Sequence, residues 1–338
     1  MSFTITLKPS GEQFTVNPGE AILDSAIRQG VAMPYGCRSG RCGACVANIV
    51  EGEISYPYGE PIALDTTNPN ICLPCACKPE GDVTLEVKTI GQQDEIKVRM
   101  LPCRVHQIDH LAHDVIRLLL KLPDGQRLQF RAGQYVEFVL ADGRHRAFSI
   151  ANAPHDDAFI ELHIRHVDGG KFTDWAFSQM EEKAILRIEA PHGSFVLDEK
   201  SQRPMIFMGG GTGFAPLKGQ IEHAFHMGIS RSMTLYWGVR SKRDLYLPEL
   251  PKTWEAGFDR FKFIPVLSEP DADWEGRTGY VHEAVLADIN NLADHDIYMA
   301  GPPIMVKSGR DAFLAAGVSD EHMHYDSFDY ADDSKLKK

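Results

Sequence analysis

Cys37, Cys42 and Cys45 lie in one short segment, Cys37-Arg38-Ser39-Gly40-Arg41-Cys42-Gly43-Ala44-Cys45, spaced C-x4-C-x2-C. Thiols this close suit a small inorganic body, and the spacing is that of a [2Fe-2S] cluster, in which four thiolates hold two irons. The segment has to turn several Sγ atoms inward while its backbone N–H groups face the sulfurs. Gly36, Gly40 and Gly43 permit that approach and can take positive φ where it is needed. A fourth thiolate has to come from the later group Cys72, Cys75 and Cys77. Zinc is the competing reading, but zinc prefers paired C-x2-C ligands, which a four-residue gap rich in glycine does not match. The chain has seven cysteines, an odd number, and in a reducing compartment such a cluster favours a metal site over a disulfide framework. A cluster of this kind moves electrons one at a time.

Other elements have to position that segment and supply its electrons. The chain has 338 residues, so two or three domains are expected. Hydrophobic content of 43% and charged content of 24% are ordinary for a globular protein. A net charge of −12 argues against partners such as nucleic acid or an anionic membrane. No apolar run reaches transmembrane length. The start, Phe3-Thr4-Ile5-Thr6-Leu7-Lys8, alternates like a strand rather than a signal peptide, which predicts a cytoplasmic protein.

Residues 1–90 form the first block. Strands at Thr4–Leu7 and Gln13–Val16 flank a Pro-Ser-Gly turn, a helical pattern runs from Glu20 to Gly30, and further strands are expected at Val46–Val50 and Val83–Val87. A small sheet crossed by one helix is a β-grasp arrangement. Residues 91–100 are polar, without a strong period, and read as a linker. Residues 101–202 hold short strands separated by turn signals, which predicts a small antiparallel β-barrel. Gly170-Lys171-Phe172-Thr173 precedes a helical stretch there, and a glycine and hydroxyl at a helix N-terminus can cradle a pyrophosphate. From about residue 203 the pattern changes to alternating strands and helices, including a helix at Asp244–Trp254. An apolar strand, Pro204–Met208, runs into Gly209-Gly210-Gly211-Thr212-Gly213-Phe214-Ala215-Pro216 and then a helix. That is the phosphate-binding opening of a doubly wound α/β domain covering residues 203–338, with Gly301-Pro302 at the end of a later strand. The histidines scattered along the barrel block, such as His106 and His163, read as structural or surface groups.

In order, these blocks resemble reductase components that fuse a plant-type ferredoxin to a ferredoxin–NADP reductase-like module. The stretches Cys37–Cys45, Arg146–Pro154 (RAFSIANAP) and Gly209–Pro216 (GGGTGFAP) resemble those of CDP-6-deoxy-Δ3,4-glucoseen reductases. Phenol hydroxylase and ring-hydroxylating dioxygenase reductases share the layout. The resemblance implies one [2Fe-2S] cluster, FAD and NADH, with NADPH as the other choice, and a redox partner protein that is a dehydrase or an oxygenase component. It selects Cys75 as the fourth ligand, because Cys75, Pro79 and Asp82 keep the family register, and leaves Cys72, Cys77 and Cys103 as buried apolar groups. It implies that Arg146 binds a flavin phosphate, Phe148 lies against the isoalloxazine, Ser149 hydrogen-bonds near its N5, and Gly170, Lys171 and Thr173 hold the pyrophosphate. Gly210, Gly211, Thr212, Gly213, Gly301 and Pro302 would receive the nicotinamide dinucleotide, with Arg240 at its adenosine end. Phe328, or failing it Tyr330, would cover the flavin. Ala300 stands where family members often carry cysteine, and Arg38 and Arg41 are expected to face the partner.

Overall fold

The computed structural model describes residues 2–87 and 96–328. It divides into two compact units, one of residues 1–97 with 193–195 and one of residues 98–192 with 196–338. No helix among the described residues is long and apolar enough to cross a membrane.

The first unit contains β1 (Phe3–Lys8), β2 (Gln13–Val16), α1 (Ile22–Gln29), β3 (Ala47–Glu51), β4 (Ile54–Ser55), β5 (Ile71–Cys72), β6 (Lys78–Pro79) and β7 (Val83–Val87). Its main sheet has the order β2-β1-β7-β3-β5, with β1 and β7 parallel and the other pairs antiparallel. Alternation in β1 sends Ile5 and Leu7 inward, where they meet Ile22, Leu23 and Ala26 of α1 in one core. The helix stops at Gly30, whose left-handed conformation returns its N–H to Ala26 and Ile27. The long connection from β3 to β7 carries Cys72, Cys75 and Cys77, so the sheet frames the cysteine loop at residues 37–45 from both sides in sequence.

In the second unit β8 (Arg99–Ala112), β9 (Val115–Lys121), β10 (Tyr135–Val139), β11 (His145–Ser149), β12 (Ile160–Arg165), α2 (Lys171–Ser178) and β13 (Ile185–His192) come first. The strands form one antiparallel sheet, β11-β10-β13-β8-β9-β12. A bridge between Ile150 and Leu162 joins its two ends and closes the barrel around Val105, Leu118, Val136, Leu162, Ile164 and Ile188. Of the expected linker, residues 91–95 lie outside the described residues, and Arg99 and Met100 already belong to β8. Their pairing with Ala190 and Glu189 of β13 explains the early start, since a partner strand captures residues that show no period of their own.

The chain continues through β14 (Met205–Gly210), α3 (Phe214–His226), β15 (Met233–Val239), α4 (Glu249–Gly257), β16 (Phe261–Leu267), β17 (Arg277–Thr278), α5 (Val281–Asp288), β18 (Asp296–Gly301), α6 (Pro303–Ala315) and β19 (Met323–Ser327). These six strands are all parallel, in the order β17-β16-β15-β14-β18-β19. Strand order reverses between β14 and β18, the crevice where doubly wound sheets bind ligands. Two local expectations fail. The helix expected at Asp244–Trp254 begins five residues later, because Leu245 and Tyr246 are drawn into the core and Pro248 then serves as the helix cap. The C-terminal strand β19 is not among the expected elements, since its five residues acquire strand character only by pairing with β18.

Asp296, at the start of β18, anchors this sheet. Its carboxylate is 1% exposed and takes up Arg231, Arg203 and His322, the last at 3.0 Å. Removing one partner of a buried ion pair leaves the other charge uncompensated. Asp296→Ala is therefore expected to destabilise the protein by about 3–5 kcal/mol, read as a lowered unfolding midpoint in denaturant with flavin absorbance and near-UV dichroism followed together.

Candidate redox centre and nucleotide crevice

In the cysteine loop, Gly40 (φ 73°) and Gly43 (φ 76°) adopt the left-handed conformation expected of them, whereas Gly36 does not and Arg38 (φ 55°) does. A Cβ on Gly40 would stand 2.5 Å from Pro61 Cβ, so the loop is pressed against the segment behind it, which also donates Ala63 N–H to Gly40 O at 3.1 Å. Backbone amides point at sulfur throughout. Cys42 N donates to Cys37 Sγ at 3.3 Å, Cys37 N and Ala44 N to Cys42 Sγ at 3.4 Å, and Ser39 N to Cys37 Sγ at 3.4 Å. Cys45 and Cys75 bring their Sγ atoms to 3.3 Å. The four sulfurs thus form two pairs, Cys37 with Cys42 and Cys45 with Cys75. Cys72 and Cys77 are both fully buried in the core of the first unit, and Cys103 is buried in the barrel.

Three of these thiols are shifted, and not all in the same direction. The Cys42 hydrogen bond, helped by amides of Ser39 and Arg41, lowers Cys37 to about 5. The same hydrogen bond and burial push Cys42 up, and the bond to Cys75 together with burial pushes Cys45 up. Cationic iron beside Cys42 and Cys45 would offset that rise and favour their thiolate forms. The donor set, its pairing and its amide dipoles fit a cluster. Arg38 donates to Asp24 at 3.1 Å, and both Arg38 and Arg41 are half-buried.

In the second unit, β11 carries Arg146, Phe148 and Ser149 along one barrel edge. Phe148 packs on Phe172 (ring centroids 5.4 Å) and on Phe138 (5.7 Å), which brings the Arg146–Ser149 strand beside the start of α2. Arg146 is half-buried and donates to His145 O at 2.8 Å. Gly170 caps α2, and a Cβ there would meet Val167 O at 2.9 Å. Lys171 is exposed at the first helical position. The Thr173 hydroxyl does not face outward. It bonds to Val167 O and Gly170 O, both at 3.1 Å, and so shapes the loop that presents the helix end. A cation, an aromatic surface and a helix N-terminus with a glycine cap fit a flavin and its phosphates.

The Gly-rich turn continues β14 through Gly210, makes one tight turn at Gly211–Gly213 containing the half-buried Thr212, and enters α3. Close contacts demand glycine here. A Cβ on Gly210 would lie 2.5 Å from Met305 Sδ and 2.9 Å from Pro302 Cδ, and one on Gly213 would lie 1.9 Å from Ala300 O. Gly301 (φ 147°) also closes on Gly210, its Cβ position lying 3.1 Å from Gly210 Cα. The Trp237 indole donates to Gly211 O at 2.9 Å and fixes the turn from beneath. Arg240 is exposed at the end of β15, where Lys242 and Arg243 lie near Asp273 and Asp244. These features make a backbone cradle at a sheet's switch point and fit a dinucleotide.

Phe328 is half-buried and donates its N–H to Gly301 O at 2.9 Å, while Tyr330 lies outside the described residues. Sequence reasoning misses Asp326. It sits at the end of β19, is 8% exposed, and accepts from Ser149 Oγ at 3.4 Å. A carboxylate in a five-residue stretch with no motif gives no local signal; only β18–β19 pairing brings it beside β11.

Residues 5–80 match the family model of the 2Fe-2S iron-sulfur cluster binding domain, residues 102–197 that of the oxidoreductase FAD-binding domain, and residues 207–311 that of the oxidoreductase NAD-binding domain. The CDP-6-deoxy-L-threo-D-glycero-4-hexulose-3-dehydrase reductase of Yersinia pestis is 33% identical over 97% of this chain and 99% of its own. Reductase component 1 of terephthalate 1,2-dioxygenase from Comamonas sp is also 33% identical, over 97% and 98%. Among solved structures, the Amycolatopsis cytochrome P450 reductase GcoB superposes with a TM-score of 0.81 at 32% identity, covering 96% of this chain and 98% of that one. With domains for a [2Fe-2S] cluster, FAD and NAD in one polypeptide and such relatives along its length, the chain is an oxidoreductase that belongs to the family of electron-transfer reductase components of dehydrases and oxygenases.

Proposed function

We propose that this protein acts in the cytoplasm, oxidises NADH at the switch point of the parallel sheet and delivers single electrons to a separate CDP-6-deoxyhexulose dehydrase. In this reading residues 1–90, 101–202 and 203–338 are the ferredoxin, flavin and nucleotide domains, joined by 91–100. Cys37, Cys42, Cys45 and Cys75 hold the cluster. Arg146, Phe148, Gly170 and Lys171 bind FAD, and Phe328 shields it. Gly210–Gly213, Gly301, Pro302 and Arg240 bind the dinucleotide. When bound, FAD supplies the exchange between a two-electron hydride and single electrons, and the cluster supplies a one-electron carrier.

The observation that carries the reading is the contact of Ser149 with Asp326 at 3.4 Å, which joins the strand expected to hold flavin to the edge where Gly210 and Gly301 meet. Ser149 has a defined acceptor for its proton there, and Asp326 keeps the hydroxyl aimed. NADH is favoured over NADPH because Lys242 and Arg243 have carboxylates beside them, which lowers the positive potential a 2′-phosphate would need. Asp326→Asn is expected to slow flavin reduction by NADH by roughly tenfold, with flavin content unchanged, since one oriented hydrogen bond at a reacting centre contributes on the order of 1–3 kcal/mol. An unchanged rate constant in anaerobic stopped-flow would remove Asp326 from the site.

The choice of partner rests on the full-length similarity to the Yersinia dehydrase reductase and on the RAFSIANAP and GGGTGFAP stretches. A second reading, a reductase for an aromatic oxygenase, is favoured by the equal identity to the terephthalate dioxygenase reductase. Mixing NADH-reduced protein anaerobically with a purified hexulose dehydrase and, separately, with an oxygenase component decides between them. Faster reoxidation by the dehydrase is expected; faster reoxidation by the oxygenase selects the second reading.

A further inference from the structure

Helix α3 begins at the Gly-rich turn, and one turn later it is fastened to the barrel by a buried lysine. Lys218 is 7% exposed. Its Nζ donates to Ala151 O at 3.2 Å, Glu161 Oε2 at 3.1 Å and Glu222 Oε2 at 3.0 Å. An ammonium has three donors, and all three are used. The next residue, Gly219, lies directly on the same segment: a Cβ there would stand 2.9 Å from Asn152 O and 3.4 Å from Ala151 O. The segment cannot yield, because Asn152 is itself buried, donating to Phe159 O at 3.1 Å and accepting Glu161 N–H at 2.8 Å, while Ala151 N donates to Glu161 O at 2.8 Å. Ala151 follows Ser149 by two residues.

The network continues to the other side of the turn. Glu161 Oε1 lies 2.9 Å from His163 Nε2, and His163 Nδ1 lies 3.0 Å from the Tyr246 hydroxyl. The Tyr246 ring meets the edge of Trp237 at 5.0 Å and of Phe214 at 6.0 Å, and Trp237 in turn holds Gly211 O. Burial raises the Glu161 carboxyl, but its hydrogen bonds to His163 and Lys218 prevail and hold it down at about 2, so Glu161 is a carboxylate in the folded protein. Burial of this many polar groups is costly unless all are matched. Apolar residues would join the helix to the barrel at lower cost. A fully matched network instead specifies one relative position of α3 and the 149–152 segment.

We propose that Lys218 and Gly219 are positioning residues for hydride transfer: they fix the distance between the dinucleotide turn at Gly211–Gly213 and the flavin strand at Ser149. The inference rests on the reading that these two segments bind NADH and FAD. A shift of about 1 Å between reacting groups can cost on the order of 100-fold in rate, so a bolt at this place acts on chemistry more than on affinity.

The test uses the full-length holoprotein as wild type, Lys218→Met, Lys218→Arg and Gly219→Ala. Gly219→Ala keeps every charge and forces α3 away from the segment by its added methyl alone, so it answers the question even if Lys218→Met folds poorly. Two readouts are taken: the long-wavelength charge-transfer absorbance of dithionite-reduced protein titrated with NAD+, which needs no turnover, and the limiting rate of flavin reduction by NADH. Lys218→Met and Gly219→Ala are expected to weaken the charge-transfer band and to lower the limiting rate by roughly tenfold or more, with flavin content and NAD+ dissociation constant within about twofold of wild type and with partial recovery in Lys218→Arg. A Gly219→Ala protein with an unchanged band and limiting rate overturns the proposal, as does a loss that only parallels lost flavin or lost NAD+ affinity. Failure of the wild type to bind FAD or NAD+ would instead reject the reading of the two segments.

Discussion

Gly213→Ala is expected to lower the rate of flavin reduction by NADH by about 100-fold or more, the scale associated with ångström-level misplacement of reacting groups. The backbone of Gly213 has φ −58°, which any residue adopts, so conformational preference is not the obstacle. The obstacle is that the new methyl group would stand 1.9 Å from Ala300 O and 2.5 Å from Ala300 C. Both are backbone atoms, and Ala300 is paired with Gly209 in the parallel ladder between β14 and β18. Relief therefore requires the turn to lift away from β18, which opens the switch point where the dinucleotide is expected. The barrel and the cysteine loop lie elsewhere in the chain, so flavin content and cluster absorbance should be retained. Gly257→Ala is the matched control, because no atom lies within 4 Å of its added methyl and its φ is not positive. Stopped-flow bleaching of the flavin reads the result, and a Gly213→Ala rate within a few-fold of wild type would show that the close approach to Ala300 has no functional weight.

The second large effect is expected at the cysteines. Cys75→Ser should abolish the visible absorbance of the cluster and its bound iron while flavin remains. Cys72→Ser and Cys77→Ser should retain the cluster. The distinction is geometric. Cys75 Sγ stands 3.3 Å from Cys45 Sγ and is only partly buried, whereas Cys72 and Cys77 are fully enclosed among the apolar side chains of the first unit. Strand pairing explains the burial of Cys72. It lies opposite Ala47 in the β3–β5 ladder, and Ala47 is itself a core residue. Serine at Cys72 or Cys77 introduces a hydroxyl into that core, so those variants should lose stability, by about 1–3 kcal/mol if the hydroxyl finds no partner. Iron quantification separates the two effects: loss of iron from folded Cys72→Ser protein would move the ligand assignment from Cys75 to Cys72.

Much of this architecture is legible from residue order. The C-x4-C-x2-C loop and the strand–turn–helix around GGGTGFAP are local, so short spacing carries their meaning. Strand alternation in β1 and the glycine stop of α1 are likewise written in neighbouring residues. The same local reasoning errs where tertiary contacts override it. It begins a helix at Asp244 because it cannot see that Tyr246 is drawn inward against Trp237 and Phe214. It gives Thr173 a ligand-facing hydroxyl, which the fold instead commits to the backbone of its own loop.

The sequence alone determined the kinds of chemistry present, since thiol spacing and glycine turns are properties of a few adjacent residues. Only the tertiary structure decided which side chains join those pieces. Asp326 reaches Ser149 across 177 residues, and Lys218 reaches Ala151 across 67. Neither contact leaves a periodic trace, because each depends on a single side chain placed by pairing and packing elsewhere: β18 aligning β19 for Asp326, and the bare backbone of Gly219 letting α3 rest on residues 151–152 for Lys218.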